Sequence, residues 1–277
     1  MQIHDLLNNV FRLLWGLQRA SESAGKGDES ALWHHVRMHV VFTITTGQVY
    51  VFEDYLADLD PAHTAHVTPA FNVRADTTSQ QAMSVLLGLF DTQTESTSKL
   101  ITLVIIDLLN FFAINAQYEA FESYLKNFHS SPPHAIAYFD TREEAEAWLN
   151  NLAEPPSGGH VLIGDEYYEL WYSREDGFRE LLRDRSMAWA FEVFESKPLP
   201  PATASFDTRE EAMAWLTSHP ASRETLITIA GEYYHAAYHR NLNRHTLHSL
   251  SRLREDREKL KAEQEQQEDA EAEPSEE

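Results

Sequence analysis

The residues of this chain whose types could do chemistry are histidines at ligand-like spacing, carboxylates in equivalent positions, and grouped tyrosines. His34, His35 and His39 come first, because on a helix His35 and His39 fall four apart on one face, a spacing that can hold a metal ion. No glutamate completes an HExxH arrangement around them, so packed or solvated histidines are the expectation there. His235, His239, His245 and His248 form a second group. Glu166 and Glu232 precede paired tyrosines in GDEYY and AGEYY. Two carboxylates can work as acid and base when a fold brings them together. A hydrolase or metal-dependent enzyme using His235, His239 and Glu232 is therefore one reading. No accompanying nucleophile or cofactor motif supports it, so no catalytic residue, metal or cofactor is expected.

Tyr167, Tyr168, Trp171, Tyr172, Tyr233, Tyr234 and Tyr238 are the most suggestive group. Tyrosines are favourable at protein interfaces because a large apolar body carries a polar tip. Tyr167 and Tyr168 must point to opposite faces of a strand, one toward a core and one outward. Tyr168, Trp171, Tyr172, Tyr234 and Tyr238, with His235 and His239, are thus the candidate interface residues, whereas the same aromatics serve the core alone if helices cover both faces.

These residues need elements to position them, and the elements are written twice. FDTREEAEAWL followed by GDEYYELWY recurs as FDTREEAMAWL followed by AGEYYHAAY. In the first copy Ala135–Phe139 reads as a strand, and Thr141 with Glu144 is a capping-box signature for a short helix whose inner face is Ala145, Trp148 and Leu149. Val161–Ile163 and Tyr167–Tyr172 then read as a hairpin around Gly164, Asp165 and Glu166. The second copy repeats this with Thr208, Glu211, Trp215, Leu216, Ile227–Ile229 and Tyr233–Tyr238. The stretch Arg179–Glu195 reads as a connecting helix, and another helix is expected after Arg240.

The region before Pro132 and Pro133 reads as helical. Ile3, Leu6, Leu7, Val10, Leu13, Leu14 and Leu17 form an apolar stripe at three- and four-residue steps, and the Ser21–Gly27 stretch ends it. A second helix carries Trp33, Val36, Val40 and Ile44. Residues 40–52 could be helix or a hairpin turning at Gly47, and the helix is favoured because Phe52, Tyr55, Leu56 and Leu59 keep the spacing. A third helix starts at Asp76 or Thr77, and a fourth runs from about Thr97 to Phe128, which suggests an antiparallel bundle.

Composition narrows the functional classes. Forty-four acidic against 22 basic residues give a formal charge of −22, a field that repels nucleic acid and anionic lipid and would favour a basic protein partner. The chain has no cysteine, which excludes disulfides, zinc thiolates and thiol catalysis and fits a reducing compartment. The N-terminal residues do not read as a signal peptide, and the apolar run Leu100–Ile114 carries Asp107 and Asn110, as a buried helix would rather than a membrane span.

TGQVYVFEDYL, FDTREEAEAWL, VLIGDEYYELWY, IAGEYYHAAYH and LNRHTLH resemble a myxobacterial paralogous family often labelled "head protein", over about Leu32 to His248. That label implies association with a phage or prophage head. It brings no reaction and no catalytic residue.

The expectation is a cytoplasmic α+β protein: an N-terminal antiparallel helical bundle (1–130), a duplicated βαββ domain (131–199 with the connecting helix, and 200–250) and an acidic, helical to disordered tail (251–277). The expected function is non-enzymatic protein binding, as an immunity or regulatory factor, with a head-associated structural role as the alternative. Nucleic acid and membrane are not expected partners.

Overall fold

The computed structural model describes residues 2–128, 132–185, 187–190, 199–219 and 224–272. The chain is α+β: a helical N-terminal region precedes two mixed four-stranded sheets. It divides into two compact units, one of Met1–His129 with Pro156–Gly159, the other of Ser130–Pro155 with His160–Glu277.

In the helical unit the described segments are α1 (Ile3–Ser23), α2 (Gly27–Thr45), α3 (Val49–Ala57), α4 (Pro69–Arg74), α5 (Thr77–Thr92), α6 (Ser96–Ile114) and α7 (Tyr118–Phe128). Residues 40–52 are helical, as favoured, but the helix breaks at Gly47, whose positive φ of 71° turns the chain between α2 and α3. The expected fourth helix is likewise two, because Ala116 takes φ 54° between α6 and α7. A short α4 helix precedes α5. Thr68 caps α4, with Pro69 in its first turn. Asp76 caps α5 by accepting from Ser79 N at 2.9 Å, one of the two starts foreseen.

By length and composition α6 could cross a membrane, yet most of it is buried inside this unit. Its polar residues are used locally: Asp107 faces His63 Nε2 at 3.0 Å, and Asn110 accepts from Thr68 and donates to the His66 carbonyl. Leu7, Leu14, Leu86, Phe52, Phe112 and Phe121 fill the core between the helices.

The second unit contains the duplication. The first copy is β1 (Ala135–Phe139), α8 (Arg142–Asn151), β2 (His160–Ile163), β3 (Glu166–Ser173) and β4 (Phe178–Arg183). A short helix α9 (Met187–Ala190) follows. The second copy is β5 (Ala204–Phe206), α10 (Arg209–Ser218), β6 (Glu224–Ile229), β7 (Glu232–His239) and β8 (Arg244–Ser249). In each sheet the first two strands are parallel, joined through the helix, and the remainder form an antiparallel meander in the order of the chain.

Each copy therefore has one strand more than expected and reads βαβββ. Arg179–Arg183, expected in a connecting helix, belongs to β4, and Arg244–Ser249, expected in the last helix, is β8. The rest of the expected connecting helix falls partly on residues 191–198, outside the described ones. The tail is also more regular than its composition suggested: α11 (Leu250–Ala272) carries the acidic run in helix through Ala272, and residues 273–277 lie outside the described ones.

The local chemistry is the same in both copies. Thr141 and Thr208 accept from the amides of Glu144 and Glu211 at 3.2 and 3.3 Å, and Thr141 with Glu144 closes a full capping box. Phe139 packs on Trp148, and Phe206 on Trp215, with ring centroids 5.2 and 5.7 Å apart. Each helix thus has a private core against one face of its sheet: Ala145, Leu149, Val161, Leu170 and Leu181 in the first copy, and Ala212, Leu216, Ile227, Ala236 and Leu247 in the second.

The tight turns differ in one telling position. Between β2 and β3 the left-handed site holds Gly164 at φ 61°, whereas its equivalent before β7 holds Ala230 at φ 50°. An alanine there pays roughly 1–2 kcal/mol for its Cβ, and glycine costs roughly 0.5–1 kcal/mol in chain entropy. Ala230→Gly is therefore expected to stabilise the protein by about 0.5 kcal/mol, seen as a raised midpoint in urea unfolding with the slope unchanged.

Candidate functional site

The β3–β4 hairpin sorts its side chains by strand alternation. Tyr168, Leu170, Tyr172 and Leu181 face α8 and join the first copy's private core. Tyr167, Glu169 and Trp171 point to the other face. Register places Ser173 opposite Phe178, Trp171 opposite Glu180 and Glu169 opposite Leu182, so Phe178, Glu180 and Leu182 share that second face.

At its inner end this face is covered: Tyr167 is 2 % exposed. At its outer end it is open, with Trp171 50 %, Phe178 48 % and Leu182 44 % exposed. Phe178 and Leu182 are the two diagonal cross-strand neighbours of Trp171, roughly 7–8 Å away and in reach of its indole. The result is one apolar patch interleaved with Glu169 and Glu180. Nearby arginines are engaged elsewhere: Arg174 with Glu154 at 2.6 Å, Arg179 with the carbonyls of Leu149, Asn150 and Leu152 at the end of α8, and Arg183 with Glu166 and Asp256.

The equivalent face of the second copy carries Ala237, Arg244 and His248 at the matching positions. There it is occupied. Tyr167 stacks on His248 with ring centroids 5.7 Å apart and planes 7° from parallel, and Arg244 donates to the Tyr138 hydroxyl while its guanidinium lies 3.3 Å over that ring. Asn241 Nδ2 donates to the Ala135 carbonyl at 2.6 Å. Leu162, Tyr167, Met187 and Leu253 close an apolar seam between the copies and α11.

Of the residues singled out in sequence, Trp171 lies on the open patch. Tyr168 and Tyr172 are half-buried on the α8 face, under Arg142 and Arg179 respectively. Tyr234 and Tyr238 are half-buried on the α10 face, where Tyr238 packs on His245 and donates to Asn243 Oδ1 at 2.7 Å. His235 and His239, expected at an interface with a partner, are instead interior at 3 % and 2 % exposure. They alternate with Ala236, which faces α10, and so turn into the seam between the copies.

His239 Nε2 meets the Tyr167 hydroxyl at 3.2 Å and Thr246 Oγ1 at 3.1 Å, and Thr246 in turn meets His248 Nε2 at 2.9 Å. Burial, helped by repulsion from His134, His245 and Arg244, takes His239 down to about 4. Burial, with His235, His239 and Arg209 nearby, takes His248 down to about 3. Both imidazoles are neutral near pH 7.

This geometry dissolves the enzyme constellation. Glu232 and His239 begin and end β7, seven residues apart, or roughly 23 Å at the strand rise, beyond side-chain reach. Glu232 accepts from Tyr234 at 3.3 Å and from Ser249, at the far end of the sheet from His239. In the helical unit His39 is caged by Phe112, Phe121 and Tyr118, and burial takes it down to about 3, while His35 bonds Ser79 at 3.1 Å. Among the described residues no group of His, Asp or Glu is arranged to hold a metal ion.

A cleft of about 490 Å³ opens where β2–β3, the start of α10 and the first turns of α11 meet. It is lined largely by ion pairs, with Asp165 Oδ1 left without a hydrogen-bond partner. Arg183 grips Asp256 through two bonds of 3.0 and 2.8 Å and Glu166 through one of 2.7 Å, Arg252 also reaches Glu166, and Arg209 pairs with Asp165. Glu166 is thus held in an ion-pair clamp.

Reading Arg179–Glu195 as a helix hides Leu182 inside it and leaves Phe178 just ahead of it, so neither stands among the sequence candidates. The signal was present: Asp176-Gly177 followed by FRELLR, after an aromatic strand, is a hairpin pattern. Comparison with family models, with curated proteins and with solved structures finds no match to this chain.

The Arg183 clamp gives a direct test of how α11 is held. Arg183→Met leaves the mostly buried Asp256 without its cation and is expected to cost about 2 kcal/mol, less than a fully buried pair because Arg183 is part-exposed. Adding Asp256→Asn should recover part of that loss in a double-mutant cycle by urea unfolding, whereas simple additivity would mean the two groups do not act as a pair.

Proposed function

We propose that this chain is a non-enzymatic protein-binding factor, of the immunity or regulatory kind, and that it docks a basic protein partner on the open face of the first copy. The single observation that carries the reading is the patch of Trp171, Phe178 and Leu182. Three large apolar side chains on one sheet face, diagonal neighbours and each close to half exposed, are an interaction surface rather than scattered surface residues. A tryptophan flanked by apolar neighbours is the residue type on which binding energy concentrates.

The chemistry of the partner follows from charge. The chain carries −22, the patch is interleaved with Glu169 and Glu180, and the adjacent arginines are committed to internal partners. The complementary surface has an apolar anchor ringed by lysine or arginine. The same field disfavours nucleic acid. Equivalent positions in the second copy already serve as a docking face, occupied by the first copy, so the repeat carries a surface of this kind by construction.

The test is capture of the partner from the source cell, its identification, and measurement of affinity with both components purified. Trp171→Ala should weaken binding by roughly 30-fold or more, the scale of an interfacial tryptophan. Binding should also weaken as salt rises. Tyr234→Ala, on the other sheet, serves as the control that leaves affinity unchanged. A partner that binds Trp171→Ala as tightly as the native chain, or one that is acidic and insensitive to salt, would overturn the proposal.

A further inference from the structure

The seam between the two copies is built from an unusual mixture. Its apolar part is small: Ala135, Leu162, Tyr167, Met187 and Leu253, with Tyr138, Leu242 and Leu250 at its edge. The rest is polar and dominated by imidazoles. The second copy contributes His235 and His239 from β7 and Thr246 and His248 from β8, and the first copy answers with Tyr167. Each copy, by contrast, has a mainly apolar private core between its helix and its sheet, with Thr225 and His245 also on that face in the second copy.

The charges around the seam matter as much as the histidines in it. From the first copy come His134 and His160, the latter paired with Asp184 at 2.9 Å, and Asp165, Glu166 and Arg183 at the cleft. From the second copy come Arg244 and His245 on β8 and Arg209 at the start of α10. Arg252 and Asp256 come from α11. Three of these carboxylates already carry an arginine: Asp165 has Arg209, Glu166 has Arg183 and Arg252, and Asp256 has Arg183, while Asp184 meets the His160 imidazole. A proton added to His239 or His248 would place a positive charge in a buried site whose described neighbours are hydroxyls, other imidazoles and arginines.

We propose that the seam is an acid-sensitive latch: on mild acidification the two copies part along the face of His239 and His248 while each keeps its own helix-on-sheet core. The sign follows from linkage. The closed seam holds both histidines neutral, and the open seam lets them titrate near their ordinary value of about 6.5. The open form then binds more protons, so closure is fully stable above that pH and weakens as pH falls through it. Two histidines released together raise the opening constant by about 60-fold between pH 6 and pH 5, and one alone by about eightfold.

Hydroxyl-radical footprinting read by residue-level mass spectrometry, normalised at each pH to a free-peptide standard, tests this on the full chain. The seam side chains Tyr167, His239 and His248 should lose protection steeply between pH 6 and pH 5 while Leu149 and Leu216 of the private cores keep theirs. In His239→Gln the same loss should shrink to about eightfold. Concerted loss from seam and helices would make this ordinary acid unfolding and overturn the latch. So would an unchanged seam down to pH 4.5, or a His239→Gln profile as steep as the native one. If His239→Gln does not fold, the native pH profile alone decides between these outcomes.

Discussion

A four-stranded sheet with one helix has one face too many. The helix covers a single side, and the strands are long enough that the opposite side must be covered by something else or remain wet. Both copies in this chain meet that constraint with the same private core, down to the paired Phe139–Trp148 and Phe206–Trp215 contacts. They differ in what happens on the other side. The second copy presents small and polar residues there and is covered by the first copy and α11. The first copy uses Tyr167 and Leu162 for that contact and then continues outward with Trp171, Phe178 and Leu182, which nothing among the described residues covers.

The asymmetry between the copies is therefore concentrated on this face. At matching positions one copy carries Ala237, Arg244 and His248 and the other Trp171, Phe178 and Leu182. The first set suits a seam: a small residue for close approach, an arginine over Tyr138, a histidine under Tyr167. The second set suits neither a seam inside this chain nor a wet surface. Around both, acidic groups are neutralised in pairs where they are structural, as in the Arg183 clamp, and left at the surface where the apolar patch is.

Much of this architecture was legible from residues alone, because the signals were local. The capping box at Thr141, the threonine cap at Thr208, the turn at Gly164 and the tryptophan faces of the two short helices act within a few residues and fold as they read. What the sequence concealed depended on distant contacts. FRELLR and RHTLHS have mixed periodicity, and only pairing with β3 and β7 makes them strands. The histidines of β7 look like ligands or surface groups until alternation against Ala236 turns them inward. Breaks at Gly47 and Ala116 hid inside continuous apolar spacing, since a left-handed residue interrupts a helix without interrupting its stripe.

The claim on which the account rests is that the outer half of the β3–β4 face is a free surface in the isolated chain and a covered one in the complex. Hydroxyl-radical footprinting with residue-level mass spectrometry measures this directly. The account predicts that Trp171, Phe178 and Leu182 label strongly in the free chain and become protected with the partner bound, while Tyr167 on the same face stays unlabelled in both states. Trp171 and Phe178 unlabelled in the free chain, or equally labelled with and without the partner, would contradict it.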